Sequence, residues 1–265
     1  MIESVANAKI KQLISWRDQS KQRRQDKVFL AEGIKLFLEA PIELIQSVYL
    51  TKQALDMLQQ DNKLQCSGYE LVSEAVYAKI TDEKNPQGIL TVLAQPDRQS
   101  LLDSHDEWPA QPFFLLLENL QDPGNLGTIL RTAEAAGVHE IILSKDSADL
   151  YNPKVVRATM GSIFRLPCFY VDSIPEAIRV LARRRVTVAA AELAGSIAYD
   201  QGDYWGACAF VIGNEAKGLS PETLEAASLR IRIPMCGAVE SLNAAMAAGI
   251  LMYEACRQRN QVKVC

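Results

Sequence analysis

Histidine is almost missing from this chain of 265 residues: there are two, His105 and His139. Their scarcity removes the usual base from Ser–His and Cys–His hydrolases. The six cysteines (Cys66, Cys168, Cys208, Cys236, Cys256 and Cys265) form no CxxC pair and, with so little histidine, no zinc-ligand spacing. They read as small hydrophobes, and neither a disulfide nor a metal is expected. Long apolar runs are missing too: none approaches the roughly 20 residues that a membrane helix needs. The opening "MIESVANAKIKQLISW" has no continuous apolar core and no cleavage signature, which excludes a secretory signal and sets the expectation of a cytoplasmic protein without a membrane partner. Both common nucleotide loops are absent as well. No GxxxxGK precedes a Ser or Thr, and no GxGxxG occurs.

What is present is ordinary in bulk and uneven in detail. Hydrophobic residues make up 48% and charged residues 23%, the composition of a soluble globular protein with length for two domains. The net charge of −4 argues against a nucleic-acid partner until it is mapped. Residues 8–27 hold seven Lys/Arg (Lys9, Lys11, Arg17, Lys21, Arg23, Arg24, Lys27) against Asp18 and Asp26, a local +5, whereas 28–111 hold six basic and thirteen acidic residues, a local −7. A solvated charged helix and a phosphate-contacting segment both fit such a run.

The order of elements is regular. Helical periodicity covers 8–18 and 30–40. A strand follows at 47–50, a helix at 52–60, a short strand at 69–72, a helix at 73–80 with Ser73 as N-cap, and a strand at 88–94. Three prolines in "QPDRQSLLDSHDEWPAQP" mark a linker, which divides the chain into domains at 1–95 and 113–265 with 96–112 between them. Strands are then expected at 113–118, 140–144, 168–171, 186–192, 208–213 and 229–234, mostly separated by helices, one of them opened by a capping box at Ser173-Ile-Pro-Glu176. That alternation predicts an α/β fold with a mainly parallel, helix-covered sheet. Trp16, Trp108 and Trp205 read as packing residues, Arg183–Arg185 as a helix end, and His105 as a linker residue without chemistry.

Three strand-to-helix turns carry the polar residues. "NLQDPGNLGTILRTAEAAG" (119–137) follows a buried strand and predicts a helix from about Asn125 to Ala136, stopped by Gly137, with Leu126, Ile129, Leu130 and Ala133 inward and Asn125, Thr128 and Arg131 on another face. "FVIGNEAKGLS" (210–220) presents Asn214 and Glu215 at a strand's C-terminal end, where open α/β sheets bind ligands. "IRIPMCGAVESLNAAMAAGILMYEA" (231–255) places Ser241 and Asn243 at the start of a helix rich in Ala and Gly.

In order and spacing these stretches resemble the three motifs of the SpoU (TrmH) family of RNA 2′-O-ribose methyltransferases, within the SPOUT superfamily, over about residues 113–257. "SVANAKIKQL", "FLAEGIKLFLEA" and "NPQGILTVLA" are similar to that family's substrate-binding domain, which has an L30e/L7Ae-like fold. The resemblance implies a trefoil-knotted C-terminal domain, S-adenosylmethionine as methyl donor, and a homodimer whose site draws on both subunits. It implies that backbone groups of Gly213, Ile233 and Leu242 hold the donor, with Ala190, Met235 and Ala244 lining it. It also implies a catalytic set of Asn125, Arg131, Glu215, Ser241 and Asn243. Because tRNA-directed relatives often lack such an N-terminal domain, ribosomal RNA of the 23S type is the expected substrate. A tRNA methyltransferase and an inactive RNA-binding homologue are the alternatives, and the missing Gly fingerprint disfavours an oxidoreductase. The family account often makes the first-motif arginine the base. A guanidinium is a poor proton acceptor, so Arg131 is read here as a phosphate clamp and oxyanion stabiliser, oriented by Asn125, while Glu215, Ser241 and Asn243 hold the loops. Lys9, Lys11, Arg23 and Arg24 are the expected RNA-phosphate contacts.

Overall fold

The computed structural model describes residues 1–64, 66, 68–103, 108–193 and 197–261, for Gln261 the backbone alone. His105 and Cys265 lie outside the described residues. The chain divides into two compact units: Met1–Asp97 with Asp149–Phe164, and Arg98–Ala148 with Arg165–Cys265.

The first unit runs α1 (Ala8–Asp18), α2 (Ser20–Asp26), β1 (Val28–Glu32), α3 (Ile34–Glu39), β2 (Ile45–Leu50), α4 (Lys52–Gln60), β3 (Glu70–Leu71), α5 (Glu74–Ile80) and β4 (Ile89–Ala94). Its sheet has the order β1-β4-β2-β3, with β4 antiparallel to both neighbours and β3 parallel to β2. The start of the helix expected over 30–40 is corrected to a strand. Val28 to Ala31 are all buried and pair in unbroken register with β4. Only after Gly33, at φ +104°, does the short α3 begin. Apolar residues at 30, 34 and 37 mimic a helical stripe, but distant strand pairing overrides local periodicity. Asn7, Thr51 and Ser73 cap α1, α4 and α5 by accepting backbone N–H groups.

Of the four expected phosphate contacts, Arg23 is placed elsewhere. Its side chain is only 3% exposed and ion-paired with Asp149. It also donates to the carbonyls of Trp16 and Arg17. It therefore ties α2 into the unit, and a spacing pattern of charges could not distinguish it from Arg24. Arg24 and Lys11 are exposed, while Lys9 is paired with Glu70. Removing one partner of a buried pair strands the other, so Arg23→Ala should cost roughly 3 kcal/mol of unfolding free energy in urea titrations. Arg24→Ala, at an exposed site, should stay within about 0.5 kcal/mol.

The second unit opens with β5 (Phe113–Leu117), α6 (Pro123–Ala135) and β6 (Glu140–Ser144). The intervening α7 (Pro153–Ala158) packs on β1 in the first unit. Helix α8 (Ser162–Arg165) belongs to the first unit up to Phe164, and the second unit continues with β7 (Cys168–Val171), α9 (Ile174–Arg183), β8 (Thr187–Ala191), β9 (Ile197–Ala198), β10 (Cys208–Ile212), α10 (Pro221–Ala226), β11 (Leu229–Arg232) and α11 (Ala244–Gln261). All seven strands are parallel, in the order β7-β6-β5-β10-β8-β11-β9. β5, β6 and β10 are buried along their whole length, which is why they read as unbroken apolar runs rather than as alternation. Ser173 caps α9 by accepting from Glu176 N, while the Glu176 carboxylate pairs forward with Arg179 and Arg183. Part of the proline-rich stretch is bound to this unit. Glu140, at the head of β6, accepts from Ser100 Oγ at 2.6 Å and Leu101 N at 2.7 Å, and Trp108 packs on Phe114 beneath the Arg184 guanidinium. Trp16 is buried, whereas Trp205 is 48% exposed and is not a packing residue here. No described helix is long and apolar enough to cross a membrane.

Candidate functional site

Helix α6 starts two residues before Asn125. Asp122 is its N-cap, accepting from Asn125 N at 2.7 Å, and Pro123 fills the first turn, where no backbone donor is needed. Leu126, Ile129, Leu130 and Ala133 are fully buried, and Gly137, at φ +73°, ends the helix. The long α11 packs against α6. At Gly249 an added Cβ would already touch Thr132, so the small residues of the third stretch are matched to α6.

At the C-terminal ends of the strands the turns are tied to one another. Asn119, held in the left-handed region at φ 54°, exposes its carbonyl to Asn214 Nδ2 at 2.8 Å. Asn214 Oδ1 in turn accepts from Ala216 N and Lys217 N. Glu118, buried at the end of β5, accepts from Ser220 N, Ser220 Oγ and Thr223 Oγ1. Glu215 accepts from Asn125 Nδ2 at 3.0 Å, Asp122 N at 3.1 Å and Gln121 N at 3.3 Å. Asn243 Nδ2 donates to Asn125 Oδ1 at 2.8 Å, while its own Oδ1 accepts from Ala245 N and Met246 N and caps α11. Each amide orientation follows from its partners: a carboxylate needs the NH2 end, and two backbone N–H groups need the oxygen. Glu215–Asn125–Asn243 is thus one continuous chain of hydrogen bonds joining the three turns.

Burial raises the Glu215 pKa, but the side-chain donation from Asn125 and the backbone donors outweigh it, and the carboxyl is held below its ordinary value. A depressed carboxylate pKa stabilises the fold above the unfolded-state value, about 4.3, and loses that contribution as pH falls through the lower folded value. The three turns should therefore loosen as pH is lowered below about 4. In Glu215→Gln, amide-exchange rates of residues 119–125 should lose that pH dependence.

A cavity of about 470 Å3 lies among the same strand ends. Its walls come from Ala191–Leu193 at the end of β8, Ile212–Leu219 at the end of β10 and the turn beyond, Ile231–Ile233 with Met235 around the end of β11, and Glu240–Leu242 with the first turns of α11. Gly213 has no room for a side chain: a Cβ there would sit 2.4 Å from the Gly218 carbonyl carbon. Gly213, Ile233, Leu242, Met235 and Ala244 all line the cavity, as does Ser241. Ala190 is not among the lining residues. It lies inside β8 in the core cluster, paired with Val211 and Arg230, and the next residue, Ala191, forms the wall. Along a strand, one step in sequence reverses the face.

Residues 112–253 match the SpoU rRNA Methylase family. The chain belongs to that family. Residues 7–91 of this SpoU-family chain match the MRM3-like substrate binding domain. It is 30% identical over 256 residues to the 23S rRNA (guanosine(2553)-2'-O)-methyltransferase RlmP of Bacillus subtilis, covering 95% of this chain and 97% of the relative. Among solved structures, an AdoMet-bound rRNA methyltransferase from Sinorhizobium meliloti superposes with a TM-score of 0.83 at 34% identity and covers 97% of both chains. A TrmH/SpoU tRNA modifying enzyme from A. aeolicus matches 58% of this chain and 78% of its own, with a TM-score of 0.52 at 29% identity.

Not every expected site residue of the SpoU set joins the cluster. Arg131 stands nearly two helical turns beyond Asn125, roughly 9 Å along the axis at 1.5 Å per residue. It is exposed, with no hydrogen bond or ion pair to any described residue. Ser241 is exposed at the cavity wall and likewise makes none. The ties made by Glu118 and Asn119 went unread in the sequence. The available signal was a lone acid ending an apolar strand, since a charge so placed needs buried donors.

Proposed function

We propose that this protein transfers a methyl group from S-adenosylmethionine to the 2′-hydroxyl of a ribose in 23S-type ribosomal RNA. The observation that carries the proposal is the joining of the three motif turns through Glu215–Asn125–Asn243, with the second and third turns lining one strand-end cavity, in a chain alike over nearly its full length to an AdoMet-bound rRNA methyltransferase. The cavity's size falls in the range of small-molecule sites, and its lining fits the donor. Leu193, Ile212, Ile233, Leu242 and Leu251 offer apolar surface, and Glu192, Glu240 and Ser241 offer polar groups.

When bound, the donor would supply a methyl group activated by its sulfonium and would leave as the neutral thioether, while the ribose hydroxyl gives its proton to water. The chain's own task is to hold the ribose oxygen in line at roughly 3 Å and to favour the developing alkoxide. The Glu215–Asn125–Asn243 chain fixes the turns that shape the cavity. Arg131, without a partner among the described residues, serves as the clamp on the phosphate next to the target ribose. The exposed Met246 (60%) and Tyr253 (53%) lie one heptad apart on α11, the helix that packs on α6. Their apolar surface supports a homodimer through these helices, with the partner's Arg131 reaching the cavity. The knotted threading of the C-terminal unit and a cytoplasmic location belong to the same proposal.

On the RNA side, Lys11 and Arg24 present exposed cations in a +5 segment. Replacing both with Ala should lower the log–log salt dependence of RNA binding by about 0.7–0.9 for each lost contact and leave donor binding intact. The limited coverage of the tRNA enzyme favours ribosomal RNA. The deciding experiment incubates the protein with methyl-labelled donor and either a 23S transcript or total tRNA, then maps 2′-O-methyl positions. Label in 23S RNA is the expected result. Label in tRNA alone would move the activity to the alternative substrate, and donor binding without transfer to either would mark an inactive homologue.

A further inference from the structure

The N-terminal unit holds a cavity of its own, about 250 Å3, lined among others by Glu32, Gly33, Asn85, Gln87, Arg157 and Met160. A water's share of liquid volume is about 30 Å3, so there is space for a ring system. Glu32 ends β1. Its Oε1 accepts from Tyr77 OH and Thr81 Oγ1, which fills that oxygen, whereas Oε2 accepts from no described residue. Burial holds this carboxyl above its usual range.

The neighbouring amides are also half used. Gln87 Oε1 accepts from Ile34 N at 2.8 Å, and the Cβ that Gly33 lacks would stand 3.0 Å from that oxygen. With the oxygen committed, the Gln87 NH2 is left as a donor, and it and the Asn85 amide have no partner among the described residues. Met160 is 38% exposed and sits in the left-handed region at φ 52°, followed by Gly161 at φ 100°. A non-glycine residue costs energy there, and the result is a thioether presented at the cavity. Arg157 is already paired with Glu83. Two acids and two cations (Glu32, Glu83, Lys35, Arg157) leave no positive excess, so this is not a phosphate site.

In one cavity, a carboxylate oxygen with two open lone pairs and two exposed amides with open donors call for a ligand edge with two adjacent donors next to an acceptor. Among the four bases only guanine has this: N1–H and N2–H2 beside O6. Adenine and cytosine each put a ring acceptor beside their amino group, and uracil carries a single N–H between two carbonyls. We propose that this cavity takes the base of an unpaired guanosine in RNA, with Glu32 Oε2 accepting from N1–H and N2–H2, Gln87 and Asn85 donating to O6, and Met160 against the ring face. Single-stranded, splayed-out bases are the usual target of sequence-specific RNA recognition, and a sulfur contact with an aromatic ring is favourable. The inference rests on the RNA reading above and adds to it a base-reading site in the N-terminal unit.

The test uses the full chain and octamers of uridine carrying one central guanosine, inosine or adenosine, measured by fluorescence anisotropy. A good base-edge contact discriminates by 1–3 kcal/mol, so the guanosine octamer should bind about five- to 150-fold more tightly than the adenosine one, with inosine, lacking N2–H2, between them. Glu32→Gln should abolish that preference without weakening the adenosine octamer. Since Glu32 also holds Tyr77 and Thr81, melting curves must show the variant folded, and two variants outside that network provide independent readings. Gln87→Ala should lower the guanosine preference, and Met160→Ala should weaken all three octamers. Equal binding of the three octamers, or a preference that survives in folded Glu32→Gln, overturns the guanosine site and leaves the RNA reading standing. If no octamer binds while a 23S transcript is still methylated, the site falls alone. If the transcript is not methylated either, both readings fall.

Discussion

Arg131→Lys should slow methyl transfer on the order of 10²–10³, comparable to the loss of one preorganised donor at a developing oxyanion, with donor affinity almost unchanged. The side chain is exposed, and no described residue bonds to it. The fold should therefore hardly notice the change, within about 0.5 kcal/mol. What lysine loses is the planar fork that grips a phosphate with two parallel bonds. The pH profile then separates clamp from base. A lysine acting as the base, with an ordinary pKa of about 10.4, would make single-turnover rates climb as pH approaches that value. A lysine acting as a clamp keeps its charge to about pH 10 and gives no steep climb between pH 8 and 10. A steep rise with RNA saturating would reassign Arg131 as the proton acceptor.

For Gly213→Ala, the expected result is a weakened donor site and a less stable C-terminal unit. The new Cβ would lie 2.4–2.6 Å from backbone atoms of Gly218 and Leu219, and a backbone neighbour cannot swing aside as the end of a side chain can. Overpacking of this kind costs typically 1–3 kcal/mol. The segment that must give way carries Glu215 and much of the cavity wall. Calorimetry should show donor affinity reduced at least about tenfold, and denaturation a loss of about 2 kcal/mol. Gly206→Ala is the control, because nothing lies within 4 Å of a Cβ at that position. If both variants bind donor equally well, the close approach of Gly213 and Gly218 has no part in shaping the site.

These positions differ in how openly the sequence announced them. β5 and β10 were plain because strands buried on both faces must be apolar throughout. Gly137 and Ser73 were plain because a left-handed stop and an N-cap are decided within four residues of chain. β1 was misread because its identity depends on Ala94 through Leu90, some sixty residues away. Arg23 was misread because its partner, Asp149, lies more than a hundred residues further on. The motifs supplied Asn125, Glu215 and Asn243 as members of a set, but not that Asn125 would be the middle link, with both ends of its amide engaged. Ala190 and Ala191 share one composition and one strand, and only the pleat separates core from wall.

The pairing of β5 with β10 has a consequence for how the protein is made. These central strands are in register, Phe113 with Cys208 through Leu117 with Ile212, yet about ninety residues of chain separate them. At synthesis rates of 5–20 residues per second, β5 leaves the ribosome on the order of 5–20 s before its inner neighbour exists. Throughout that interval an entirely apolar strand has β6 on one side and nothing on the other. The nascent chain thus passes through a stage with an exposed, sticky sheet edge in its middle. Substitutions that leave the finished fold untouched but prolong this stage, such as rare codons between residues 118 and 208, should lower the yield of soluble protein without altering its melting temperature.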